Sequence, residues 1–165
     1  MLKLIFLLQL LLLACGASAL SGCGENWGRR AGDASPRLTG IDLAGNRVDT
    51  SQYRGKVMVL YFWHGSCCVD KLQPLDRMYA KLKDKSLVVV AIDGLDTRKD
   101  IAAVAQNYSL KLPLWYDEGS KGQKSFGVIG YPTYLVIDKN GIIRKKILGN
   151  IEPEQLEKLV APYLI

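Results

Sequence analysis

Two adjacent cysteines, Cys67 and Cys68, are the residues of this chain best suited to chemistry. A thiolate attacks disulfide sulfur, forms a mixed disulfide, and leaves again most readily when its pKa lies near the ambient pH. A helix N-terminus favours that state, because orphan N–H groups and the positive end of the helix dipole stabilise the anion. The pair occupies such a place. The apolar run Val57–Trp63 reads as a strand buried on both faces, and a helix is expected after Ser66. The two thiols could close into a vicinal disulfide, a small ring that bends the intervening peptide, competes with helical dihedrals and is readily reduced. In the other reading Cys67 acts alone, and a partner thiol resolves its mixed disulfides.

Nearby groups widen the choice of chemistry. His64, the single histidine, stands three residues before Cys67, and soft thiolates beside an imidazole suit Cu(I). A lone histidine at a strand end is more commonly a surface or hydrogen-bonded residue, so no metal is assigned. Asp70, three residues after Cys67, would raise the thiol pKa by repulsion if it lay close. Asp93, at a strand C-terminus, reads as a loop cap rather than an acid catalyst. Tyr61, Trp63, Trp115 and Tyr116 are candidates for a groove wall; Trp63 is favoured for that role and the others for the core.

These residues must be positioned by a mixture of strands and helices. Leu38–Val48 alternates around Ala44-Gly45-Asn46, which suggests a hairpin. Leu72, Leu75, Met78, Tyr79 and Leu82 recur at near-helical spacing, with Pro74 expected to kink that helix. Leu87–Ile92 is a second buried strand. Asp96 or Thr97 can cap the next helix, whose Ile101, Val104, Ala105 and Tyr108 share a face. Leu114–Tyr116 is a short strand and Gly119–Phe126 a short helix. Thr133–Ile137 and Ile142–Leu148 flank Asp138-Lys139-Asn140-Gly141, a strong hairpin signal, and Pro153 suits the start of a last helix. The alternation implies an α/β fold with a central mixed sheet flanked by helices, its strands mainly parallel with an antiparallel edge.

The first 22 residues are set apart from the fold. Lys3 precedes the apolar run Leu4–Ala14, too short to span a bilayer comfortably, and the pattern is that of a signal peptide. Leu20-Ser21-Gly22-Cys23 resembles a bacterial lipobox, which makes Cys23 a lipidation site and a membrane anchor. Residues 23–36, rich in Gly, Ser, Asp and Arg, read as a flexible tether, and residues 37–165 as one domain. With Cys15 in the leader and Cys23 lipidated, Cys67 and Cys68 are the two thiols left to the domain. A net charge of +6 is scattered, densest at Lys139 and Arg144–Lys146, and lacks the basic stripe of a nucleic-acid binder.

From about Pro36 onward the chain resembles the membrane-anchored, extracytoplasmic thioredoxin-like proteins of the TlpA/ResA group. The resemblance rests on Tyr53-x-Gly55-Lys56-Val57, Phe62-Trp63-x-x-x-Cys67, Pro74-Leu75, Phe126-Gly127-Val128-x-Gly130-x-Pro132-Thr133 and Ile137-Asp138-Lys139-Asn140-Gly141. It implies a thioredoxin fold with an N-terminal hairpin extension, and a cis Pro132 that presents backbone beside the cysteines. Trp63, Tyr131, Pro132 and Thr133 become the expected substrate-binding residues. Three departures accompany it. Ser66 replaces the usual aromatic, Asp70 stands where a second thiol would complete Cys-x-x-Cys, and Leu72 or Gln73 replaces a glutamate. Counting from Trp63 makes Cys67 the nucleophile; counting back from Pro74 puts both cysteines in the variable middle, so one residue is missing between the landmarks.

The resemblance implies an extracytoplasmic thiol-disulfide oxidoreductase working through Cys67, with Cys68 as auxiliary or resolving thiol and no cofactor. Its partners would be exported protein thiols and disulfides and a membrane thiol electron donor, with lipid on Cys23 and no nucleic acid. Three other functions share the frame: a redox-inactive binding module, a Cu(I) protein and a thiol peroxidase. The last resembles Pro-x-x-x-Thr-x-x-Cys, and no proline stands at that spacing before either cysteine.

Overall fold

The computed structural model describes residues 28–164; the leader, Cys23 and the first residues of the tether lie outside it. Seven strands form one sheet: β1 (Thr39–Asp42), β2 (Arg47–Asp49), β3 (Val57–Phe62), β4 (Leu87–Asp93), β5 (Leu114–Tyr116), β6 (Thr133–Ile137) and β7 (Ile143–Leu148). Among the described residues four α-helices accompany them: α1 (Leu72–Leu82), α2 (Arg98–Asn107), α3 (Lys121–Phe126) and α4 (Pro153–Val160). The strand order is β2-β1-β5-β4-β3-β6-β7. Parallel pairing is confined to β4 with its neighbours β3 and β5, and the remaining pairs are antiparallel. The sheet is mixed, as expected, and its parallel part is small because both terminal hairpins join it by antiparallel edges.

The hairpin β1–β2 docks on β5 and lengthens the sheet, as the N-terminal extension was expected to do. Every residue of β3 and β4 is buried, the pattern of strands covered on both faces. Period two then divides β3 between two cores. Val57, Val59, Tyr61 and Trp63 pack with Leu72, Leu75, Met78, Ile101, Leu156 and Val160, beneath α1, α2 and α4. Met58, Leu60 and Phe62 pack on the other face with Phe126, Leu135 and Ile143. Each such aliphatic side chain contributes about 1.5–3 kcal/mol when fully buried.

Local signals account for the ends. Thr97 caps α2 in a reciprocal capping box with Asp100, and Pro153 opens α4. At the β6–β7 turn, Asp138 accepts from Asn140 N–H and Ile142 N–H at 2.9 Å each and from Arg144 Nε at 2.7 Å. Burial alone would raise the Asp138 pKa, but these donors outweigh it and hold the carboxyl below its ordinary value.

Two expectations are corrected. The expected tether is not free between Gly32 and Ser35. Gly32 N–H donates to Ile143 O, Ile143 N–H to Asp33 O, and Ser35 N–H to Gly141 O, all at 2.8–2.9 Å. That segment satisfies main-chain groups at the β7 edge that would otherwise face water unpaired. Pro74 does not kink α1. The helix begins at Leu72, so Pro74 falls in its first turn, where a missing N–H costs no intrahelical bond.

Candidate active site

The chain leaves β3 through Trp63 and turns at Gly65–Cys67 before a short 3₁₀ turn at Val69–Lys71 leads into α1. The expected helix after Ser66 thus starts five residues later than the first cysteine. Both Cys67 N–H and Cys68 N–H donate to the His64 carbonyl, at 3.2 and 3.3 Å.

Cys67 and Cys68 are joined by a disulfide. Of the two readings of the pair, the structure shows the vicinal bond. Its two residues face different surroundings: Cys67 is exposed, whereas Cys68 is 2% exposed and belongs to the core cluster with Tyr61, Trp63 and Leu72. The Tyr61 hydroxyl donates to the Cys68 carbonyl at 2.8 Å. Burial first, then the neighbouring Tyr134, pushes the Tyr61 pKa far up, so the phenol remains a neutral donor.

The cis-proline loop lies alongside. Tyr131–Pro132 is cis, as the resemblance implied. The Tyr131 ring meets the His64 ring edge-on at 5.0 Å between centroids, and its hydroxyl donates to Gln123 Oε1 at 2.7 Å. Among the expected substrate-binding residues, Tyr131 is half-buried and presents an edge at the surface. Pro132 and Thr133 are buried, and the Thr133 hydroxyl turns inward to Gly130 O at 2.7 Å. Trp63 is 0% exposed, which removes it from any groove wall. It shares the inward face of β3 with Tyr61 by strand alternation. The exposed apolar side chains near this loop are Ile129 and Leu148, which the sequence reading did not single out.

Polar groups complete the site. Ser66 Oγ and His64 Nδ1 are 3.0 Å apart. Asp70 is exposed and pairs loosely with Lys71 at 3.8 Å, and Lys71 also reaches Glu152 at 3.7 Å. Gly65 N–H donates to the Asp96 carboxylate. Among the described residues no group of three His, Cys, Asp or Glu side chains is placed to hold a metal ion, and no helix is long and apolar enough to cross a membrane.

A cysteine pair ahead of a helix, a cis-proline loop beside it and a mixed sheet behind it define a thioredoxin-fold protein. Comparison with known proteins agrees. The family model described as AhpC/TSA matches residues 31–146, and the chain belongs to that family. It is 30% identical over 162 residues to the thiol-disulfide oxidoreductase ResA of Bacillus thuringiensis subsp. konkukian, covering 94% of each chain. It is 32% identical over 129 residues to ResA of Bacillus cereus ATCC 10987, covering 77% of this chain and 75% of that one. A crystal structure from Chlorobium tepidum, assigned as the thiol:disulfide interchange protein DsbE, superposes with TM-score 0.77 at 26% identity, over 82% of this chain and 99% of that chain.

Proposed function

We propose that the protein is an extracytoplasmic thiol-disulfide oxidoreductase in which Cys67 is the nucleophile and attack site and Cys68 the resolving thiol. The observation that carries this reading is the unequal burial of one bonded pair: an exposed Cys67 tied to a Cys68 in the core. An incoming thiolate can reach Cys67 and not Cys68. In the oxidising direction a substrate thiolate attacks Cys67 Sγ, the Cys67–Cys68 bond breaks, and its electron pair goes to Cys68 Sγ, which takes up a proton. A second substrate thiolate then attacks the substrate sulfur bound to Cys67, releasing a substrate disulfide and the Cys67–Cys68 dithiol. The reducing direction reverses these bonds, with Cys68 thiolate attacking Cys67 Sγ to free the substrate.

Tyr131, Pro132 and Thr133 form the substrate side of the site, with Tyr131 supplying the exposed edge. The substrates are exported protein thiols and disulfides, and reducing turnover draws electrons from a membrane thiol donor. Signal-peptide cleavage before Cys23 and lipidation of Cys23 would place the domain at the outer surface of a membrane. The names of the ResA relatives support the activity. Incubation of the reduced protein with an excess of a small disulfide, followed by peptide mass mapping, tests the roles. A Cys68→Ser variant is expected to keep the adduct on Cys67. An adduct on Cys68 in a Cys67→Ser variant, formed as fast as the Cys67 adduct, would overturn the assignment.

A further inference from the structure

Asp93 ends β4 and is 0% exposed. Its Oδ1 accepts from Leu95 N–H and Asp96 N–H at 2.8 and 3.0 Å, the loop cap its position suggested. Its Oδ2 has no hydrogen-bond partner among the described residues. An ionised carboxylate with an idle oxygen is costly in a dry setting, whereas a carboxylic acid is not. Asp96, whose N–H Asp93 holds, is also the acid whose carboxyl helps to push the Asp93 pKa up, after burial. Asp96 Oδ2 in turn accepts from Gly65 N–H, and it stands 2.9 Å from where a Gly65 side chain would begin. Contact therefore runs from the enclosed Asp93, through Asp96 and Gly65, to the turn that carries Cys67.

We propose that Asp93 and Asp96 share one proton and that this proton holds the Gly65–Cys67 turn in place, making Asp93 a positioning residue for the disulfide. Asp93, as the neutral acid, donates toward Asp96, and Asp96 in turn accepts from Gly65 N–H. When the proton leaves, the Asp93 anion has no donor for its second oxygen and repels the acceptor oxygens of Asp96. Asp93 is enclosed and tied to its loop, so the half-buried Asp96 shifts and Gly65 loses its acceptor. Burial first, and the Asp96 carboxyl next, pushes the Asp93 pKa up to about 7, which sets this change near neutrality.

The other groups facing Asp93 do not take over its proton. Tyr131, from the cis-proline loop, has its pKa pushed up to about 12, by burial first and then by the charges of Asp93 and Asp117. Its ring meets that of His64 edge-on at 5.0 Å. Asp117, after β5, gives its N–H to Asp93 O at 2.7 Å. Its carboxylate is committed to Gly122 N–H and Gln123 N–H at 2.8 and 2.9 Å.

The link to disulfide reactivity rests on the exchange function proposed above; the titration itself does not, so the two can fail separately. In the oxidised protein, the carboxyl carbon of Asp93 and the amide of Gly65 would be followed by NMR across neutral pH. Both are expected to titrate with one midpoint near 7, the Gly65 amide moving upfield as its acceptor is lost. In Asp93→Asn the Gly65 titration should vanish, and in Asp96→Asn the Asp93 midpoint should fall. The wild-type to Asp93→Asn ratio of reduction rates by dithiothreitol should change about fivefold across neutrality, the worth of one ordinary hydrogen bond. An Asp93 that titrates in the ordinary carboxylate range, or a Gly65 amide that still titrates in Asp93→Asn, overturns the shared proton. A flat rate ratio beside normal titrations overturns its control of the disulfide.

Discussion

The Tyr61 hydroxyl, rooted in the central strand, holds the main-chain carbonyl of Cys68 at 2.8 Å. The bond fixes the peptide that follows the reactive pair to the most buried part of the sheet. It also orders the two cysteines, drawing Cys68 into the core and leaving Cys67 at the surface. Tyr61→Phe removes the shorter of two donors and leaves the Cys68 carbonyl with the Lys71 N–H at 3.3 Å. The expected loss of stability in urea unfolding is about 0.5–1.5 kcal/mol for the oxidised protein. It should be smaller for the reduced protein, where Cys68 is free to adjust. Equal losses in both redox states would mean that Tyr61 does not position the disulfide.

The unequal burial of the two cysteines predicts unequal reactivity. In reduced single-cysteine variants, Cys67 of Cys68→Ser should react with a methanethiosulfonate reagent at least about tenfold faster than Cys68 of Cys67→Ser. The basis is that thiol reactivity follows thiolate character and access. Peptide mapping of the adducts during a time course provides the measurement. Equal rates would contradict the role given to each sulfur.

Asp93 carries a pH signature of its own. Its folded-state pKa, raised to about 7, lies above the ordinary value of 3.8. The stability it contributes is therefore present in acid and lost as pH rises toward neutrality. Asp93→Asn keeps an oxygen for the loop cap and carries no charge. It should gain on the wild type between about pH 4 and pH 8, by on the order of 4 kcal/mol. Urea midpoints at both ends of that range measure the gain; a difference independent of pH would contradict the buried ionisation.

The position of Pro74 gives a prediction in the opposite sense. A proline in a helix interior costs about 3 kcal/mol, but in the first turn it is tolerated. Pro74→Ala should therefore change the thermal stability by less than about 1 kcal/mol. A gain of several kcal/mol would place Pro74 inside the helix after all.

Most of the frame was legible because it rests on local signals. Asp138-Lys139-Asn140-Gly141 specifies its turn, the apolar run of β3 shows a strand covered on both faces, and Thr97 announces α2. The cysteine pair and the cis Pro132 were legible from motif alone. What escaped depends on tertiary geometry. Nothing in the residues between Trp63 and Pro74 marks the delayed start of α1 at Leu72. Trp63 reads as a groove residue until the alternation of β3 is carried one position past the strand end. Tyr61 with Cys68, and Asp93 with Asp96 and Gly65, join residues whose meeting depends on where loops cross. No periodicity encodes those crossings.

The central claim is that Cys67 and Cys68 form one redox couple, and intact mass after equilibration in graded thiol–disulfide buffers tests it most directly. The account predicts a loss of two hydrogens at a defined potential, with the bond mapped to the peptide containing both cysteines. It also predicts mixed disulfides confined to Cys67 in the intermediate range. Two thiols that stay unmodified in the most oxidising buffer would contradict it and leave a thioredoxin-fold binding module.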